Sequence, residues 1–283
     1  MPDTDYISSW FNSDLRRGGE LKISDYSPNN SYRWSALDIS RGHMPGAMPF
    51  GSFGERTSTG AESDFPVWPD GPIPPMLLTG VQMSIQSTSA NDSAAGTHVR
   101  VVEIHALVGD ALLPYDEFVT LNGTTPVLTQ ATDIRWIQCM HIHEVGANVF
   151  AAGTISAKHD GDTYSEINVG RNRCASSFRM VPGGKRLYID GAVGSSVAST
   201  ADTRTRLRLV ANEIDTHQYN TPLILIPHAA IGVQNGAIGF NFPPGLSFSE
   251  GTIVGCTHTT DKAATITCSW FGRLEPVEFM GSF

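Results

Sequence analysis

From Gly80 onward, no window of this sequence keeps a 3.6-residue apolar period over three turns, and that excludes a helical core. Short apolar–polar alternations take its place: Val81-Gln-Met-Ser-Ile-Gln86, His98-Val-Arg-Val-Val-Glu-Ile-His-Ala-Leu107 and the end of Thr203–Val210. On a strand every second side chain faces the same way, so such a run gives one apolar and one polar face. Turn residues cut the runs at Asn122-Gly123, His159-Asp-Gly-Asp162 and Pro182-Gly-Gly184. The Asn-Gly pair predicts a two-residue hairpin between 118–121 and 126–128. Further strands are predicted at 133–145, 153–158, 164–169, 176–180, 186–189, 222–226, 237–242, 252–254, 264–270 and 277–279. Strands at such regular spacing predict a sandwich or barrel. The expected fold is all-β: a jelly-roll-like antiparallel β-sandwich over residues 80–283. A split into two β-domains near Gly191–Ala201 is the alternative, but no linker composition surrounds that short loop.

Residues 1–79 have another texture. Gly and Pro between Ser40 and Pro75 forbid a long helix or a central strand, and Pro66-Val-Trp-Pro-Asp-Gly-Pro-Ile-Pro-Pro75 favours extended backbone. An extended N-terminal arm is therefore expected. Flexible linkers are poor in aromatics, whereas this segment carries Trp34, Phe50, Phe53 and Trp68. These four are the predicted interface residues, docked on the chain's own β-domain or on a neighbouring subunit.

Only 17 % of the residues are charged, and the formal net charge is -9. Such a balance argues against nucleic acid as a partner, because that affinity comes from Lys and Arg displacing counterions. Residues 171–208 run against the trend, with eight Lys or Arg against Asp190 and Asp202, a local +6. The row Arg204, Arg206, Arg208 is the predicted charge partner for another subunit. The four cysteines, Cys139, Cys174, Cys256 and Cys268, lack zinc-site spacing, and buried free thiols are expected, although Cys256 and Cys268 flank a predicted hairpin. No apolar run reaches the ~18 residues of a membrane helix, so no membrane partner is expected. No basic-then-apolar leader opens the sequence, and assembly in a cytoplasm is expected.

Catalytic motifs are missing from the sequence: no G-x-S-x-G elbow, no P-loop and no glycine fingerprint before a helix. Asp160-Gly-Asp162 reads as a turn, and two carboxylates alone do not make a glycosidase. The chain is expected to be no enzyme and to need no cofactor. One pair retains metal-binding chemistry. His141 and His143, two apart on a predicted strand, present both imidazoles to one side. Half-buried histidines without an ion are the plainer expectation, because a lone His-x-His pair is a weak metal signature and histidine is commonly intermediate in burial.

Several segments follow one another in a familiar order: Ile39-Ser-Arg-Gly42, Phe53-Gly-Glu-Arg56, Val67-Trp-Pro-Asp-Gly71, Ser87-Thr-Ser-Ala-Asn-Asp92, Gly96–Ile104, Val119–Val127, Gly146-Ala-Asn148, Gly153-Thr-Ile155 and Val181–Ile189. Over residues 39–190 the chain resembles a family of structural proteins of tailed bacteriophages, common in aquatic phages. The resemblance implies a virion structural role with no catalytic residues and leaves head or tail open. The expectation that follows is a capsid decoration or cement protein, a homo-oligomer (a trimer), contacting the major capsid protein or other virion proteins. A tail-tip, neck or fibre protein that binds a host receptor is the alternative.

Overall fold

The computed structural model describes residues 46–71, 77–198, 200, 203–212, 226–233, 236–242 and 246–277. Among these the regular structure is all strand. Two strands, β1 (Met48–Ser58) and β2 (Glu62–Pro66), precede a block of seven: β3 (Ser84–Ser87), β4 (Val99–Val108), β5 (Leu113–Thr120), β6 (Val127–Leu128), β7 (Ile134–Val145), β8 (Ile155–His159) and β9 (Asp162–Ile167). Then come β10 (Arg179–Met180), β11 (Lys185–Ala198), β12 (Thr205–Ala211), β13 (Ile226–Val233), β14 (Gly236–Asn241), β15 (Ser247–Phe248), β16 (Ile253–Thr260) and β17 (Ala264–Pro276).

Among the described residues all pairings are antiparallel, as expected, and they make four small sheets, in which the two-sheet pattern of a jelly roll is not seen. One has the order β1-β17-β11-β14 with β15 beside β11, and a second runs β10-β16-β12-β13 with β2 beside β16. The block β3–β9 supplies the other two, β6-β3-β8-β9 and β5-β4-β7. Residues 81–167 are thus an insertion between β2 and β10, with a core of their own.

The core of the first pair of sheets gathers Leu187, Ile189, Leu207, Leu209, Val254 and Ile266 around the fully buried Trp270. Its indole N–H donates to the Ser177 carbonyl at 2.8 Å, which satisfies the group that burial would otherwise strand. The core of the insertion holds Met83, Ile85, Val102, Ile104, Val119, Met140, Ile155 and Ile167. A third cluster, with Leu107, Trp136, Phe178, Met180, Val210 and Ile253, joins the insertion to β10, β12 and β16.

The long mixed strand at 133–145 is explained by this arrangement. The first half of β7 is covered on both faces, Ile134, Ile137 and Met140 by one core and Trp136 by the third cluster. Its second half emerges from that cover, leaving His141 partly and His143 largely exposed.

Three expectations need correction. Residues 48–66 are not arm: β1 pairs with β17 over its whole length and β2 pairs with β16. The glycines that argued against strands are close approaches. A Cβ on Gly54 would stand 2.3 Å from the Val67 carbonyl oxygen and 2.6 Å from the Ser177 nitrogen. Residues 1–45, Trp34 among them, lie outside the described residues. Second, Asn122-Gly123 closes no hairpin, since β5 and β6 belong to different sheets. Gly123, at φ 61°, instead gives its N–H to the Asp92 carbonyl and accepts from the Ser87 N–H. Third, Cys256 and Cys268 are not free thiols but a disulfide, which ties β16 to β17 through the first core. The Asp160-Gly161 turn is as expected: both residues have positive φ, 49° and 92°, and they join β8 to β9. Over Gly191–Ala198 the chain runs on within β11, which carries a bulge between Ile189 and Gly191.

Candidate functional site

Strand alternation on β4 sends Val102, Ile104 and Ala106 into the core of the insertion and leaves Glu103 and His105 on the other face. The register then sets Glu103 between Phe118 of β5 and His141 of β7, and sets His105 opposite Asp116. Five polar side chains converge there: Glu103, His105, Asp116, His141 and His143.

The distances are short. His141 Nε2 lies 2.9 Å from Glu103 Oε2, and His105 Nε2 lies 3.7 Å from Glu103 Oε1. The two imidazoles are stacked, with centroids 4.9 Å apart and His105 Nε2 3.2 Å from His141 Nδ1. The other nitrogen of His105, Nδ1, meets Asp116 Oδ1 at 2.6 Å. His143 stands at the rim, its Nδ1 3.6 Å from Glu103 Oε2 and its ring tilted against Phe118. Glu103 is the most enclosed of the group, with 17 % of its side chain exposed against 36 % for His105 and His141. Glu103, His105 and His141 each place one donor atom within 4.8 Å of the other two, close enough to share one ion.

The sequence-predicted pair His141 and His143 is therefore part of this cluster, while Glu103, His105 and Asp116 escaped the sequence reading. The signal was available in part: Glu103-Ile-His105 has the same period of two as His141-Ile-His143. Nothing local connects the two runs, which meet only through the β4–β7 register.

A second group of polar atoms lies further along the same face of β7, where Cys139 stands opposite His105. Cys139 and Cys174 are buried with their sulfurs 2.6 Å apart, and Arg173 reaches the Cys139 sulfur at 3.9 Å. The hydrogen bond from Cys139, aided by nearby Arg179, holds the Cys174 thiol well below the usual cysteine range. The same contact and burial push Cys139 well above it.

The predicted interface residues separate. Trp68 is 3 % exposed and its indole N–H donates to the Gly71 carbonyl, so it is committed inside the chain. Phe50 packs on the first core, its ring 5.8 Å from that of Trp270. Phe53 differs: it is 43 % exposed on the outer face of the β1-β17-β11 sheet. Phe53, Ser269 and Val193 lie side by side in one row, and Phe271 sits in the next between Gly51 and Gly191. Thr57, Thr265 and Val197 continue the face. Phe53, Phe271, Val193 and Val197 are each 43 % exposed or more, on a face otherwise largely Ser and Thr. Arg204 and Arg206 are exposed on β12 and the segment before it, whereas Arg208 pairs with Asp64 of β2. The arginine row is thus partly neutralised within the chain.

No protein-family model matches the chain, and no curated protein matches it. Solved structures give weak similarities. Structures of the Gt and Gx strains of infectious bursal disease virus align at 13 % and 8 % identity, over 81 % and 84 % of this chain and 71 % and 73 % of theirs. Their TM-scores are 0.20 and 0.23. The VP2 subviral particle of the same virus gives 10 % identity over 81 % of this chain and 77 % of that one, with a TM-score of 0.20. Superpositions of that quality establish no common fold. These structures come from infectious bursal disease virus and not from a tailed phage.

Proposed function

We propose that this chain is a non-enzymatic virion structural protein, a decoration or cement protein that stabilises a capsid by packing against neighbouring subunits. The observation that carries the reading is the outer face of the β1-β17-β11 sheet, where Phe53, Phe271, Val193 and Val197 stand exposed among hydroxyl side chains. Charge is depleted and aromatics are enriched where protein surfaces pack together. Glu55, on the same face, is engaged by Arg171, so little uncompensated charge opposes a partner there. The resemblance over residues 39–190 supports the same reading.

The mechanism is mass action: a subunit bound to the assembled shell and not to free components shifts assembly toward the shell. Phe53 and Phe271 are already half-covered, so full burial would add about 1–1.5 kcal/mol each by area. Replacing both by Ser is expected to weaken co-sedimentation with shells roughly 30- to 150-fold, with the exposed positions leaving the fold intact. Unchanged co-sedimentation would reject this face. The copy number per particle tests the location, with hundreds meaning a shell protein and a dozen or fewer a tail, neck or fibre protein.

A further inference from the structure

We propose that Glu103, His105 and His141 bind one divalent transition-metal ion per chain, Zn2+ being the fitting member of that class, with Asp116 as the group that positions His105.

The first argument is spacing. A tetrahedral zinc site with bonds of about 2.0–2.2 Å has donor atoms about 3.3 Å apart along its edges. From His105 Nε2 the separations are 3.7 Å to Glu103 Oε1 and 3.2 Å to His141 Nδ1, and one donor atom from each of the three side chains lies within 4.8 Å of the other two. Closing around an ion falls to side-chain rotation, since the β4–β7 register already sets Glu103 directly opposite His141. One carboxylate and two imidazoles form a donor set of mixed N and O type, which suits zinc and the later first-row ions better than magnesium or calcium.

The second argument is hydrogen counting. Three contacts run in a chain: Glu103 to His141 Nε2, His141 Nδ1 to His105 Nε2, and His105 Nδ1 to Asp116. Each needs one hydrogen if it is to be a hydrogen bond. Two neutral imidazoles bring two. A row of two neutral imidazoles thus leaves lone pairs facing each other at one link, a place that a proton or a metal ion fills. A metal ion accepts those lone pairs.

The third argument is the partner of His105. A histidine that binds metal through one nitrogen commonly gives the N–H of the other to a carboxylate, which fixes the ring and raises its basicity. Asp116 Oδ1, 2.6 Å from His105 Nδ1, stands at that place. It leaves Nε2 directed at Glu103 and His141. His143, 3.6 Å from the same Glu103 carboxylate and half-exposed, stands on the open side where a fourth ligand enters. The ion would tie β4 to β7 directly and, through Asp116, to β5.

The site is tested on the full chain, stripped with chelator, dialysed against Zn2+ and analysed for bound metal. The expected result is one zinc per chain, lost in His105→Gln and in His141→Gln. Asp116→Asn is expected to retain the site but weaken it about 10- to 100-fold. His98→Gln, on the same insertion but outside the cluster, is expected to bind as the parent does. Co2+ gives a second readout that needs no variant, because a tetrahedral N/O site produces visible absorption bands that zinc bleaches by competition. A chain with no stoichiometric zinc and no cobalt bands overturns the proposal, as does zinc retained in full by both histidine variants. Neither result bears on the exposed β1-β17-β11 face, which is tested by co-sedimentation.

Discussion

Asp92 offers the sharpest test of how the insertion is held together. It is fully buried, and its carboxylate accepts four hydrogen bonds. Oδ1 receives the N–H groups of Val99 at 3.2 Å and Ala152 at 3.0 Å. Oδ2 receives the Gly153 N–H at 2.8 Å and the Ser87 hydroxyl at 2.7 Å. One side chain thus joins the end of β3, the start of β4 and the loop before β8. Replacing Asp92 by Asn keeps the shape but turns one acceptor into a donor. With the amide nitrogen on the Ser87 side, the hydroxyl can rotate to accept, but the Gly153 N–H loses its partner. An unsatisfied buried donor costs about 1–3 kcal/mol, and the loss of charge assistance at the remaining bonds adds about 1 kcal/mol. Asp92→Asn should therefore cost about 2–4 kcal/mol, and Asp92→Ala, which strands three backbone N–H groups, should cost more. Urea unfolding followed by tryptophan fluorescence measures the loss as a lowered midpoint at unchanged slope. Native-state hydrogen exchange should show the Ala152 and Gly153 amides losing protection first. Asp160→Asn is the control, because Asp160 sits exposed in a left-handed turn that Asn tolerates, and it should fall within about 0.5 kcal/mol of the parent. If Asp92→Asn matches that control, the four-bond account of Asp92 is wrong.

Two more outcomes are expected. Cys256→Ser or Cys268→Ser opens a covalent loop with a sequence separation of 12, and the chain-entropy relation gives a loss of about 3 kcal/mol; the unfolding midpoint of the parent should fall toward that of the variant when reductant is added. Stability should also decline with acid in two stages. Burial holds the imidazole of His258 below its usual 6.5, and the Arg56 guanidinium holds Glu62 below its usual 4.5. In both cases the unfolded chain takes up its proton at the higher pH, so stability present above about 6.5 begins to fall below that value and falls again below about 4.5. His258→Gln should flatten the first stage in a series of melting temperatures from pH 8 to 4, and a parent curve that is flat from pH 8 to 5 would contradict the assignment.

The sequence made the strands legible wherever a strand has one wet face. His98–Leu107 alternates because β4 has the insertion core on one side and the His–Glu cluster on the other. The Asp160-Gly161 turn was legible because a tight connection needs positive φ at both residues. What failed was everything set by distant pairing. Asn122-Gly123 looks like a hairpin from its neighbours, yet beyond the turn bond from the Thr125 N–H to the Asn122 carbonyl, Gly123 bonds to Ser87 and Asp92. Gly51 and Gly54 look like strand breakers, yet they lie within β1 where another segment approaches closely. The His–Glu cluster was half visible for the same reason: His141 and His143 are two apart in sequence, while Glu103, His105 and Asp116 join them only through sheet register.

The pairing of β1 with β17 also sets a schedule. A ribosome delivers Ala264–Pro276 more than two hundred residues after Met48–Ser58. The strands of the insertion, all between Ser84 and Ile167, pair only with one another and are complete long before that. They can fold while the chain is still being made, whereas β1 waits with Phe50 and Phe53 uncovered until its partner emerges. Closing so long a loop slows the final step and leaves an open strand edge in the interim. A nascent chain of this protein thus carries β1 unpaired through that whole interval, and a chaperone or a neighbouring copy has that time in which to meet β1 before β17 does.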